Sequence, residues 1–161
     1  MSDLFRFPHS VNETSARLVA AGVATMATTA VVAEQPWIMV PLTYGFAARV
    51  AAGPTLSPLA LLATKVVTPR LKVRHRYSPG PPKRLAQGMG LTMSALALVL
   101  HYGFGRERAA KGVLAALIAA AFMESAFGVC IACKLFGVGM RLGLVPEAVC
   151  EECSDLWASA R

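Results

Sequence analysis

Four cysteines at two equal spacings are the residues of this chain best suited to do chemistry. Cys130-Ile-Ala-Cys133 is followed by sixteen residues and then by Cys150-Glu-Glu-Cys153, the pattern C-x2-C-x16-C-x2-C. Cysteines three apart bring two sulfurs to one point, and four thiolates can enclose zinc tetrahedrally. By spacing, Cys130, Cys133, Cys150 and Cys153 therefore read as a structural zinc site. A Cys-x-x-Cys pair is equally the smallest dithiol for disulfide exchange or sulfur transfer, which makes the same four residues candidate redox catalysts. Ordinary cysteines without joint chemistry are the third reading. Lys134 beside the first pair favours a thiolate there, and Glu151 and Glu152 inside the second pair disfavour one.

The elements that must position these cysteines are membrane helices. Of the 161 residues 55% are hydrophobic and only 16% are charged, against about 25% in a typical soluble domain. Mean hydropathy is +0.53. A soluble fold has no place for that apolar surplus, whereas lipid accommodates it. The net charge of +7 gathers in one segment beside apolar stretches, which fits anionic headgroups and argues against nucleic acid as a partner. The opening residues, with Asp3, Arg6, Glu13 and Arg17, lack the basic start of a secretory leader.

The hydropathy pattern predicts an all-α integral membrane bundle of about four transmembrane helices in one domain. The spans fall at about 16–33, 36–52, 85–105 and 112–133, set against a bilayer requirement of about 20 residues. Asn12, Thr14 and Ser15 supply capping chemistry before the first, and Arg17 is placed to snorkel. Pro41 should kink the second. Residues 53–84 form a basic loop in which Leu59 to Val67 is a short amphipathic, interfacial or re-entrant helix. The Pro-rich run from Ser78 should be extended and stiff, delivering Lys83 and Arg84 as anchors for the third span. Small residues at Ala115 and Ala119, and at Ala116 and Ala120, mark a face for close helix packing in the fourth. The tail, 134–161, carries three glycines, Gly137, Gly139 and Gly143, and a short C-terminal helix from Pro146 to Trp157.

Lys and Arg number twelve on the side that holds the N-terminus, the 53–84 loop and the tail, against three on the other, Arg106, Arg108 and Lys111. That asymmetry orients both termini and the cysteines toward the cytoplasm, where stable structural disulfides are uncommon.

One carboxylate, Glu124, lies inside the fourth span, and Arg49 lies at similar depth in the second, both about thirteen residues from the outer ends. A charge inside a span faces a partner or a polar cavity, so Arg49 and Glu124 are expected to pair, with proton handling by Glu124 near Cys130 as the alternative. His101 is an interfacial polar residue. No phosphate loop, dinucleotide fingerprint, metalloprotease helix or haem attachment motif is present.

Four strings together carry a resemblance: Val11-Asn-Glu13, Pro79-Gly-Pro-Pro-Lys-Arg84, Phe127-Gly-Val-Cys-Ile-Ala-Cys-Lys134 and Gly143-Leu-Val-Pro-Glu-Ala-Val-Cys-Glu-Glu-Cys153. They resemble the bacterial membrane family DUF4395, from about residue 10 to 157, with the two cysteine strings as the most specific part. The resemblance implies a small polytopic protein of the bacterial cytoplasmic (inner) membrane with unassigned activity and genes often near thioredoxin-like and rhodanese-like ones. It implies Cys130 and Cys133 as a membrane-proximal dithiol, and Cys150 and Cys153 as the pair exposed to a soluble thioredoxin-like or rhodanese-like partner.

Three functions follow as expectations. The first is a thiol-redox or sulfur-handling membrane protein using both cysteine pairs. The second is a non-enzymatic scaffold or assembly factor whose tail is held by a structural zinc site on all four cysteines. The third, a transporter built on Glu124 and Arg49, would need a homo-oligomer to enclose a path.

Overall fold

The computed structural model describes residues 10–71, 77–144 and 146, so Cys150, Cys153 and the tail helix expected from Pro146 lie outside the described residues. Helix α1 spans Glu13–Val32. Asn12 caps it as its sequence suggests, accepting a hydrogen bond of 3.0 Å from the Thr14 backbone N–H. A single 3-10 turn, Pro36–Ile38, leads into α2, Met39–Ala52. Pro41 therefore sits in the first turn of α2, where a missing N–H costs little, and not in the interior of a longer span.

The apolar piece expected at Leu59 to Val67 is longer in the structure. It forms α3, Pro58–Arg70, a helix bent by 41° from the Pro36–Thr55 segment, so that the two together make one broken span or a re-entrant loop. Its middle, Leu62–Val67, is wound as a π-helix. α3 packs against α1, with Ser15 Oγ and Thr68 Oγ1 sharing a buried hydrogen bond of 2.8 Å. Leu59 lies so close to Gly22 that a Cβ there would come within 2.6 Å of its Cδ1.

Helix α4 spans Gly80–Tyr102 and begins five residues before the expected third span. Pro81 and Pro82 occupy its first turn, which tolerates proline, so the run expected to be extended from Ser78 is extended only at Ser78 and Pro79 and helical from Gly80. Lys83 thereby moves from a loop anchor to a buried position on a helix. A short antiparallel pair of strands, β1 at Ser10–Asn12 and β2 at Tyr77–Pro79, ties the entrances of α1 and α4 together, an element that the hydropathy pattern does not predict.

The fourth span also differs. Helix α5 is Glu107–Phe127 and ends six residues before the expected boundary at Cys133. Gly128 stops it in the left-handed conformation, φ 67°, its N–H bonding back to the Glu124 carbonyl at 3.0 Å. A separate helix, α6, then runs Ile131–Arg141.

Helices α1, α4 and α5 are each long and apolar enough to cross a membrane, and the bent α2–α3 segment makes a fourth span if counted as one. The core holds mainly small and branched residues, among them Val23, Ala27, Leu42, Ala97, Ala110, Leu114 and Leu117. On α5 the buried face is Ala110, Leu114, Leu117 and Ala121, whereas Ala115, Ala116 and Ala119 point outward. The packing stripe is thus rotated from the one the alanine spacing suggested. Large apolar side chains such as Tyr44, Leu96, Val99 and Phe122 face outward, as a lipid-embedded bundle requires. Hydroxyls on the helices, including Thr25, Thr43 and Thr92, bond to carbonyls four residues back and so carry no unmet donor into lipid.

One close approach fixes α2 on α4. A Cβ on Gly90 would run into the Phe46 ring. Gly90→Ala is therefore expected to cost about 1–3 kcal/mol by overpacking. Gly112→Ala, with nothing within 4 Å of the new Cβ, should be neutral or slightly stabilising in the α5 interior. Thermal unfolding of both variants in detergent checks the contrast, and equal behaviour would refute this account of the α2–α4 contact.

Candidate functional site

The site is built where the chain leaves the last span. Because Gly128 ends α5, Cys130 becomes the N-cap of α6, extended at φ −87° and ψ 107°, and its Sγ accepts the Cys133 backbone N–H at 3.3 Å. From sequence this pair is expected at the C-terminal, negative end of a transmembrane helix. It lies instead at the N-terminal, positive end of a new one, where free N–H groups and the helix dipole favour an anion. Both thiols are free, Cys130 buried and Cys133 half-buried.

The two sulfurs have unequal roles. The Cys133 thiol, donating to Cys130, is the main cause that holds the Cys130 thiol below its ordinary range, with Lys83 assisting while burial and the Glu124 charge oppose it. The same bond pushes the Cys133 thiol upward, reinforced by burial and by the Cys130 charge. Of the two thiols, Cys130 is therefore the one whose thiolate is favoured.

Beneath the dithiol lies a cluster of charges held inside the bundle. Lys83 Nζ donates to Glu124 Oε1 at 2.6 Å, with side chains 8% and 16% exposed. The expected direct pair of Arg49 with Glu124 is replaced by this one, since the helical start at Pro81 and Pro82 carries Lys83 onto the α4 face toward α5. Arg49, 4% exposed, turns to neutral partners: its Nε donates to Gln87 Oε1 at 2.7 Å and its Nη1 to Ser57 Oγ at 3.1 Å. Its guanidinium carbon lies 4.5 Å from the centroid of the Phe46 ring, a cation–π contact. Arg49 and Glu124 share the same end of the bundle without bonding directly.

A cavity of about 110 Å³ opens beside the dithiol. Its walls are apolar, with Val23, Phe46, Met93 and Leu117 among them, and Gln87, Glu124 and Cys130 supply its polar groups. Arg17, expected to snorkel, closes the same end by donating to the carbonyls of Ser125 at 3.1 Å and Ala126 at 2.8 Å, capping α5. Arg84 does likewise to the Val50 carbonyl at 3.2 Å on α2.

Lys83 and Gln87 are the site residues that sequence reasoning missed. Their spacing of four would have placed them on one helix face once the prolines were read as a first turn. His101 belongs to the opposite end, edge-on to Tyr102, in the region where Lys111 bonds Glu34 at 3.0 Å. The zinc reading needs Cys150 and Cys153, which lie outside the described residues. Among the described residues no three or more His, Cys, Asp or Glu gather as metal ligands.

A family model described as a domain of unknown function (DUF4395) matches residues 11–141. Comparison with curated proteins gives no match, and comparison with solved structures gives none.

Two outcomes test the site. Alkylation rate against pH, followed by mass spectrometry, should show Cys130 reacting below the ordinary cysteine pKa of about 8.5. Cys133→Ala should remove the side-chain bond that favours the Cys130 thiolate and shift that profile upward; an unmoved profile would refute this account of the Cys130 thiol. Glu124→Gln should lower stability by about 3–5 kcal/mol by stranding Lys83, whereas the double change Lys83→Met with Glu124→Leu should recover most of the loss in thermal unfolding.

Proposed function

The chain belongs to this family, whose function is unassigned, and we propose that it is a membrane thiol-redox or sulfur-handling protein acting through Cys130 and Cys133. The observation that carries the reading is a cysteine at a helix N-cap with a second thiol one turn inside. The proposed partner is a soluble thioredoxin-like or rhodanese-like protein, met on the cytoplasmic face of a bacterial inner membrane. The excess of Lys and Arg on that side supports this orientation.

In the redox form, the Cys130 thiolate attacks a partner disulfide, forming a mixed disulfide and releasing one partner thiolate. Cys133 then loses its proton and attacks Cys130, releasing the second partner thiolate and leaving the Cys130–Cys133 disulfide. Two electrons pass to the partner. Cys150 and Cys153, as a dithiol, can return the pair to its reduced state by the same exchange and become the disulfide in turn. In the sulfur-transfer form, Cys130 attacks the outer sulfur of a partner persulfide, the partner thiolate leaves, and Cys130 carries the persulfide. The apolar cavity beside Cys130 would shield that species from water.

A second reading is supported by the spacing of the two cysteine pairs: a scaffold or assembly factor whose tail is stapled by zinc on Cys130, Cys133, Cys150 and Cys153. It predicts one metal ion per chain, thiols shielded until chelation, and equal loss of stability from each cysteine substitution.

The distinguishing experiment is trapping. Under the redox reading Cys133→Ser, purified with a soluble thioredoxin in its disulfide form, accumulates a mixed disulfide through Cys130, and Cys130→Ser accumulates none. Failure of every single Cys→Ser variant to trap a partner, together with stoichiometric zinc, would transfer the function to the scaffold.

A further inference from the structure

Helix α6 is amphipathic in a way that its packing on the bundle does not use up. It packs against α4 and buries Ala132, Phe136 and Gly137. Its other side carries Ile131, Leu135 and Val138, with Leu142 just past its end, and these four are between 49% and 68% exposed. Steps of four, three and four residues set them in one apolar stripe. Lys134 and Arg141 flank the stripe, both exposed, and Ile131–Arg141 contains no acidic residue.

The length and the charges of α6 limit what covers that stripe. Eleven residues rise only about 16 Å, roughly half of what crossing the hydrocarbon core needs. Lys134 and Arg141 are two turns apart, about 10 Å along the axis. An upright helix would therefore either carry one of these charges about 10 Å deeper into lipid than the other or hold its apolar stripe out in water. Lying in the plane of the membrane, it keeps both charges at headgroup level while the stripe enters the acyl boundary, about 5–10 Å deep for helices of this kind. The surface that precedes it in the chain has the same character. Phe122 and Phe127, edge to face with centroids 6.3 Å apart, are exposed on the last turns of the membrane helix α5, and Phe127 is four residues from Ile131.

We propose that α6 is an interfacial helix, lying in the membrane plane with its apolar stripe in the acyl chains and with Lys134 and Arg141 among the phosphates of anionic phospholipids. The Cys130–Cys133 pair at its start is thereby held at headgroup level, and a reactant reaches it along the membrane surface. The inference rests on the membrane fold and holds whether the thiols exchange disulfides or bind metal. The rival covers are residues 147–161 of this chain, with Glu147, Glu151 and Glu152, and a second copy of the chain.

The test uses the full chain with Trp37→Phe and Trp157→Phe, a single reporter introduced by Ile131→Trp or Val138→Trp, and vesicles of phosphatidylcholine mixed with phosphatidylglycerol. Depth is read from fluorescence quenching by phospholipids brominated at successive acyl carbons, and exposure from quenching by aqueous iodide. Both reporters should be quenched at one depth, by bromine near the headgroup end of the chain, and be shielded from iodide. A separation of about 10 Å between them would mean an upright helix, iodide quenching would mean a stripe in water, and silence to both quenchers would mean a protein cover; each overturns the proposal. Bromine on phosphatidylglycerol should quench about fivefold more effectively than on phosphatidylcholine, the effect of one basic residue at an anionic surface. Lys134→Glu with Arg141→Glu should abolish that preference, and equal quenching by the two lipids in the parent would overturn the assignment to anionic lipid. Because a tryptophan variant can fail to fold, the unmodified chain is also photolabelled by a phospholipid with a diazirine near the headgroup end of its acyl chain. Label spread from Ile131 to Val138 supports the in-plane helix; label confined to one end, or none, refutes it.

Discussion

A charged side chain on a helix in lipid must meet its opposite inside the bundle, and the bond between Lys83 and Glu124 is where this chain meets that demand. It sets the rotation of α4 against α5 and keeps both polar groups off the lipid-facing surface. Everything else at this end is arranged around it. Gln87, one turn beyond Lys83, reaches Arg49; Arg49 lies on Phe46; and Phe46 fits only because Gly90 has no side chain. The Cys130–Cys133 pair lies above this layer, close enough for the Lys83 and Glu124 charges to act on Cys130 in opposite directions.

The bundle closes at that same end by a consistent device. Two arginines, Arg17 and Arg84, donate to carbonyls at or near the C-termini of α5 and α2, so positive charge meets the negative ends of helices. The break at Gly128 then lets the chain begin again as α6 with the opposite polarity. Within three residues the local field changes from one that repels a thiolate to one that favours it.

Much of this architecture was legible in the sequence, because long uncharged runs bounded by polar caps have few alternatives to a membrane helix. The cap at Asn12 was readable for the same local reasons, as was the closeness of Cys130 and Cys133, three apart in the chain. What escaped was set by contacts that hydropathy does not encode. Gly128 interrupts an apolar run without altering its average, so one span and two helices look alike. The prolines before Lys83 suit an extended linker and a helical first turn equally, and only docking of α4 selects the turn. Depth alone pointed to α2 for the partner of Glu124, although a cation on a third helix stood closer.

The bond from Arg17 to the carbonyls of Ser125 and Ala126 bridges residues 108 and 109 positions apart. During synthesis α1 emerges first, yet its most extensive neighbour, α5, emerges last among the spans. The first helix therefore waits in the bilayer with its packing face against lipid or a chaperone until the chain is nearly finished. Because Glu124 and Cys130 come late in the chain, neither the Lys83–Glu124 bond nor the cavity beside Cys130 exists in a partly made protein. Assembly order thus keeps Cys130 and Cys133 from reaching their final surroundings before the membrane domain around them is whole.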